Sequence, residues 1–354
     1  MDPIMVEIAD LNPGDLHRFI RAGIEGLSKD LRAAPQVLRE FFDAEAGAPP
    51  WADYASHEPA ERAFAQNVES VLVAFVCGVL VEGFSTLIAT SFATTGRVLD
   101  REPGRRRLMQ NNRHLLEAFC PGGMRPDGDG WKLSMRIRFV HARVRQLLAV
   151  SGCWDEGRLG VPLHAAHLGF AIAAFSDRLL KHASLVGAAF DYDAQASVMA
   201  VWRLVGKVMG VPDGMLFADR EDAQRIFGIG QLCEPPPGPD SVAMANGLIE
   251  GAPAVAGFTD ASSQQAMRMR KLAYRISRAL IGNELAERLE FPRMPTAGVL
   301  LGFRTKQWTK RLIRGDRRLR AKNLTNLMAI SAYDGPNATY RMPDHYRSSE
   351  STPW

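Results

Sequence analysis

The sequence predicts an all-α protein, one large globular domain built around a buried pocket. Three observations carry that expectation. Apolar residues recur at helical spacing along most of the 354 residues. No run alternates apolar and polar residues long enough for a half-buried strand. Turn clusters separate the periodic segments: Pro49-Pro50, Pro121-Gly122-Gly123, Asp127-Gly128-Asp129-Gly130 and Pro235-Pro236-Pro237-Gly238-Pro239.

The elements follow in order. Periodicity places helices at 13–29 and 35–44, then a long one at 60–92. Within the last, residues 71–93 are apolar enough to suggest a membrane span. Glu82 sits at the centre, where insertion of an acid costs about 2.5–3.5 kcal/mol. Ser85, Thr86, Thr90 and Ser91 weaken a span further, so the segment reads as a helix buried on all sides. Helices at 104–119 and 133–150 come next. Pro162 suits the first turn of a helix at 162–186. The helix at 194–210 carries Gly206 and Gly210, spaced for close packing. Further helices are expected at 219–232, 240–251, 265–289 and 305–322. The helical domain covers 1–325. Residues 326–354, with Pro336, Pro343 and Pro353, read as an irregular tail.

Composition is that of a soluble globular chain, 46% hydrophobic and 23% charged. A net charge of +4 is too small to argue for nucleic acid without a concentrated basic face. Cys77, Cys120, Cys153 and Cys233 form no CxxC pair and read as reduced core thiols. The acidic N-terminus lacks the features of a signal peptide, which suggests a cytoplasmic location. No phosphate loop, GxGxxG, HExxH or GxSxG motif is present.

The stretch MRIRFVHARVRQLL, residues 135–148, concentrates the chemistry. At 100° per residue, Ile137, Val140, Val144, Leu147 and Leu148 form one apolar stripe. Arg138, Arg143 and Arg145 point away from its centre; His141 and Arg136 lie on its two edges. Arg136 and Arg138 are the expected partners of a buried Glu82. His164 and His167 are three apart and share a face. His182, five whole turns after His164, is expected to point the same way across a stripe of small residues. His164 and His167 could bind zinc, but nothing supplies the other ligands. The segment from Thr305 to Asn323, with Trp308, Leu312 and Leu319 among many cations, reads as a solvated amphipathic helix or a contact with an anionic membrane.

Four separated pieces in order resemble a known family. They are Arg138-Phe-Val-His141-Ala-Arg-Val-Arg145, Gly160-Val-Pro162 through Leu168 to Phe175-Ser176, Trp202 to Val211, and Tyr274 to Pro292. Together, over residues 60–295, they resemble the latex-clearing (rubber) oxygenases and fungal MpaB-type oxygenases. The resemblance implies a helical fold holding haem b, whose iron activates dioxygen to cleave a carbon–carbon double bond. It makes Arg136 and Glu82 the expected catalytic residues. His141 is the first choice for the iron, with Arg138, Arg145, His164, His167 and His182 around the cofactor. The substrate is expected to be a small apolar molecule, isoprenoid, aromatic or lipid-like. Two positions depart from the family. Val140 stands where a threonine precedes the motif histidine, and Ala173 falls where the axial histidine is expected. The rival expectation is a non-catalytic helical protein that binds an apolar ligand or a membrane surface.

Overall fold

The computed structural model describes residues 2–8, 10–96, 102–255, 258, 260–313, 342–345 and 347. All regular structure among them is helical. Helix α1 (Pro13–Glu25) starts where Asn12 accepts the Asp15 N–H at 2.8 Å, and it stops at Gly26, φ 68°. Helix α2 is Gln36–Glu45. Helix α3 runs Glu58–Ala74, widens into a π-turn at Phe75–Val79, and continues over Leu80–Phe84. Helices α4 (Ile88–Thr94), α5 (Glu102–Ala118) and α6 (Asp129–Val150) follow. Helix α7 repeats the design of α3: Ala165–Ala173, a π-turn at Ala174–Arg178, then Leu179–Leu185. Helices α8 (Tyr192–Val208), α9 (Arg220–Cys233), α10 (Pro239–Val255) and α11 (Gln264–Ile281) complete the body, and α12 spans 299–313.

Three boundaries differ from expectation for local reasons. The helix expected at 60–92 breaks after Phe84, where Ser85 Oγ and Thr86 Oγ1 donate back to Glu82 O and Gly83 O, both at 2.7 Å. Pro162 is not in the first turn of α7. Leu163 takes φ 49°, and His164 is the N-cap. The helix expected at 265–289 is interrupted at Gly282, with a short helix Asn283–Arg288 beyond it. Residues 314–322 of the expected basic helix, and nearly all of the tail, lie outside the described residues.

The core sits between α3, α7 and α8, whose largest fully buried side chains include Phe75 and Trp202. Phe175 bridges the three helices, 5.4 Å from Phe75 and 5.2 Å from Trp202. The two π-turns pack on each other. Gly78 makes the approach possible, because a Cβ there would fall 2.7 Å from the His182 ring. Helix α6 is buried on more than the expected stripe. Met135, Phe139 and Ala142 are enclosed together with Ile137, Val144 and Leu148, and Phe139 sits against Phe41 and Phe42 of α2. The segment from Tyr54 to Phe84 is long and apolar enough to cross a bilayer, yet 72% of its apolar window is packed inside the protein. Among the cysteines only Cys77 is a core thiol, pushed up to about 12 by burial; Cys153 and Cys233 are exposed.

Helix α5 contributes a fully buried His114, whose Nε2 lies 2.8 Å from Ser134 Oγ. Burial lowers its pKa to about 4. The folded protein thus resists a proton that the unfolded chain accepts near pH 6.5. The stability linked to His114 is complete above about pH 6.5 and is lost as pH falls towards 4. Urea unfolding of wild type and His114→Gln, measured at pH 7 and pH 5, should show the larger acid loss in wild type. An equal loss in both proteins would remove His114 as the cause.

Candidate functional site

A buried charge cluster ties the two π-turns together. Glu82, 3% exposed, accepts from Arg178 Nε at 2.9 Å, and Arg178 Nη2 meets its other oxygen. His182 Nε2 stands 3.1 Å from Glu82 Oε1 but out of line for a hydrogen bond. Burial pushes the Glu82 carboxyl up. Arg178 and the nearby His182 outweigh that and hold it below its ordinary value. The adjacent Asp177 accepts from Arg220 Nε at 2.6 Å and from Gln224 at 3.0 Å, which fixes the same turn to α9.

This arrangement corrects the expected pairing of Glu82 with Arg136 or Arg138. Arg136 instead faces Glu25 at 3.4 Å. Arg138 pairs with Glu45 at 2.8 Å and lies over the Phe41 ring, beside Gly210, whose φ of 84° and missing Cβ leave room for it. Arg145 donates to Leu163 O at 2.9 Å. The arginines of α6 therefore bind the N-terminal helices and the turn before α7. His182 also departs from expectation. It does not share a face with His164, because the π-turn adds one residue, about 100° of rotation, between them.

The open site lies elsewhere. A cleft of about 1030 Å³ is bounded by the turn after α3, the start of α7, α9 and the proline-rich turn before α10. Leu87, Phe170, Met215, Ile226 and Ile229 supply apolar wall; Ser85, Thr86, Thr90 and Arg158 supply polar edge. His164 and His167 are both in it. They stack at 3.8 Å between ring centres with 20° between planes. His164 Nδ1 accepts the backbone N–H of His167, capping α7. His167 Nε2 lies 2.6 Å from Glu234 Oε1, and Glu234 Oε2 accepts the Leu87 N–H at 2.8 Å. Burial pushes the Glu234 carboxyl up, but these hydrogen bonds hold it below its ordinary value. Burial, with His167 and Arg145 close by, lowers the His164 pKa below its ordinary value. Glu82, Arg136, Arg138, His141, Arg145 and His182 do not line this cleft.

Two functional groups escaped the sequence reading. Arg178 was hidden because the π-turn shifts its phase onto Glu82. Glu234 was legible in principle: it precedes three prolines, which end α9 and fix its side chain at a rigid corner.

The described residues form an all-helical body around a buried, ion-paired core, with an apolar cleft at one end of α7. The chain belongs to the family described as ER-bound oxygenase mpaB/B'/rubber oxygenase, catalytic domain, whose model matches residues 62–312. It is thus an enzyme of an oxygenase family. In fold it is similar to a solved structure of latex clearing protein LCP in the closed state, with a TM-score of 0.63 and 18% identity over 82% of this chain and 80% of that one. No curated protein sequence matches it.

If Glu82 is a structural anchor, removing its charge strands Arg178 and costs stability more than function. Glu82→Gln should lose about 3 kcal/mol in urea unfolding, with ligand affinity in the cleft retained. A Glu82→Gln protein of wild-type stability would refute the anchoring role.

Proposed function

We propose that this oxygenase acts on a small, largely apolar molecule held in the cleft between α7 and α9. The cleft itself carries the reading. Its volume of about 1030 Å³ stands at the upper end of the roughly 300–1,000 Å³ usual for ligand pockets, and its walls are mainly apolar with a few polar groups. Dioxygen is the implied co-substrate.

Haem b is what the family resemblance implies, and the candidate histidines can be tested against it. Ala173 cannot ligate, and its methyl is fully enclosed. His182 is fully buried, seated on Gly78, with its Nε2 directed at the ion-paired Glu82 carboxylate 3.1 Å away. His164 spends its Nδ1 lone pair on the cap, so its Nε2 carries the proton in the neutral ring. His167 keeps a lone pair only on Nδ1, the nitrogen crowded by its own Cβ. His141 stands on α6 outside the cleft. These residues do not fit axial ligation of haem b in the cleft.

Two measurements test this. Protein expressed with a haem precursor should lack a Soret band at one haem per chain; a stoichiometric band would overturn the conclusion on axial ligation. Ile226→Trp, which fills the cleft wall, should lower kcat/KM for small apolar substrates in an oxygen-uptake assay by about tenfold or more. Unchanged turnover would place the substrate elsewhere.

A second reading concerns location, and α12 favours it. Its cations face inward: Lys306 Nζ lies 3.1 Å from Glu69, Lys310 also pairs with Glu69, and Arg311 donates to Asn67 and Gly187 O. Leu301, Trp308, Leu312 and Ile313 are each more than 60% exposed, and the first three share one face. This inverts the expected solvated helix. We propose that α12 seats this apolar face, with the basic sequence that follows, on an anionic membrane from the cytoplasmic side. The protein should float with phosphatidylserine vesicles, and Leu301→Ser with Trp308→Ser should abolish flotation. Wild type left in the pellet fraction would exclude membrane docking.

A further inference from the structure

A second pocket lies at the opposite end of α3, roughly 35 Å along that helix from the cleft. Its volume of about 270 Å³ falls just below the roughly 300–1,000 Å³ usual for ligand pockets, which suits a small metabolite. One wall is the short turn Tyr54–His57 with the first residues of α3. The other is the turn between α5 and α6, with Gly122, Met124 and Arg125.

Several polar groups of this pocket are unspent. His57 is only 5% exposed and lines it, yet neither ring nitrogen has a hydrogen-bond partner among the described residues. Neither nitrogen is sealed from solvent, unlike the two ring nitrogens of His182. A histidine so enclosed keeps an open polar edge where the pocket reaches it, and buried polar groups are seldom left without a partner. Glu61 accepts the Gly122 N–H through Oε1 at 3.2 Å, and its second oxygen has no partner among the described residues. Burial pushes the Glu61 carboxyl up; the Gly122 N–H and the nearby Arg125 offset only part of that rise, to which Glu58 adds. Arg125 lies 6.0 Å from the centre of the Tyr54 ring and forms no ion pair among the described residues.

The charges decide what fits. Glu58, Glu61 and Arg125 are the charged residues of the lining. Glu58 is mostly exposed and has Arg62 for a partner, 3.9 Å away. Glu61 and Arg125 share the pocket but stand too far apart to pair with each other. A lone anion would meet Glu61, and a lone cation would meet Arg125. A neutral molecule would leave both unmatched. A small molecule carrying one charge of each sign satisfies the two together.

We propose that this pocket binds a small zwitterion of the α-amino acid class. Its ammonium group donates to Glu61, its carboxylate accepts from Arg125, and its side chain rests on Tyr54 and Met124. The bound molecule ties the start of α3 to the turn before α6, where Glu61 and Gly122 already meet. The site is separate from the cleft and does not depend on what the cleft binds.

The test is equilibrium dialysis of the full chain against an equimolar mixture of the common L-amino acids, with chromatography of both chambers. Wild type should retain at least one of them. It should bind the N-acetyl and methyl ester derivatives of that amino acid, each lacking one of the two charges, about tenfold or more weakly. Glu61→Gln keeps an acceptor for the Gly122 N–H, and Arg125→Gln alters an exposed side chain. With folds checked by circular dichroism, each variant should weaken the retained amino acid by a similar factor. Retention of no amino acid by wild type, derivatives bound as tightly as the parent, or full affinity in either variant would overturn the proposal.

Discussion

The structure depends on where a single carboxylate was put. Glu82 lies in the middle of the most apolar stretch of the chain, and it cannot stay ionised there without a partner. Its partner Arg178 comes from α7, across the packed core. Both helices widen into π-turns at the crossing. A π-turn inserts one residue and re-aims every side chain beyond it. In α3 the turn ends three residues before Glu82, and in α7 it ends at Arg178. The two distortions occur where the ion pair must be made, and Gly78 removes the side chain that would hold the helices apart.

The cleft follows from the same crossing. Immediately after Glu82, Ser85 and Thr86 bond back to the helix and end α3, which turns the Leu87 N–H outward to Glu234. At the other end of α7, His164 closes the helix with its own side chain and so lays its ring on His167. Asp177, inside the π-turn, fixes α9 through Arg220 and Gln224, and α9 carries Ile226, Ile229 and Glu234 to the cleft wall. The ion pair in the core and the His167–Glu234 pair lining the cleft are thus parts of one frame.

Much of the fold was legible in the sequence because helices announce themselves locally. Apolar spacing, capping residues and proline clusters located every major helix, and Glu82, with the Ser and Thr residues after it, argued against a membrane span. What was not legible was phase. The expectation that His182 and His164 share a face assumed an uninterrupted 3.6-residue helix, and one inserted residue at Ala174–Arg178 undid it. The same assumption hid Arg178 as the partner of Glu82 and made Arg136 and Arg138 the natural choices. Those arginines proved to anchor α1 and α2, regions too distant in sequence for spacing to reveal. His164 and His167 were found from sequence because three residues at a helix start bring two rings together whatever follows. Glu234 came from a separate helix some 67 residues beyond His167, and only tertiary packing joins them.

The family's chemistry and this chain's residues meet at Ala173. Ala173 is fully enclosed in the core, and its methyl cannot ligate a metal. In the cleft, the ion-paired His167 and Glu234 are arranged directionally. Glu234 is held on both oxygens, and His167 is held by Glu234. An arrangement built for axial ligation would present Nε2, with Nδ1 turned to the carboxylate or a backbone carbonyl. Here the ring is turned the other way. With Nε2 committed to Glu234, the orientation of His167 argues against axial ligation in the cleft.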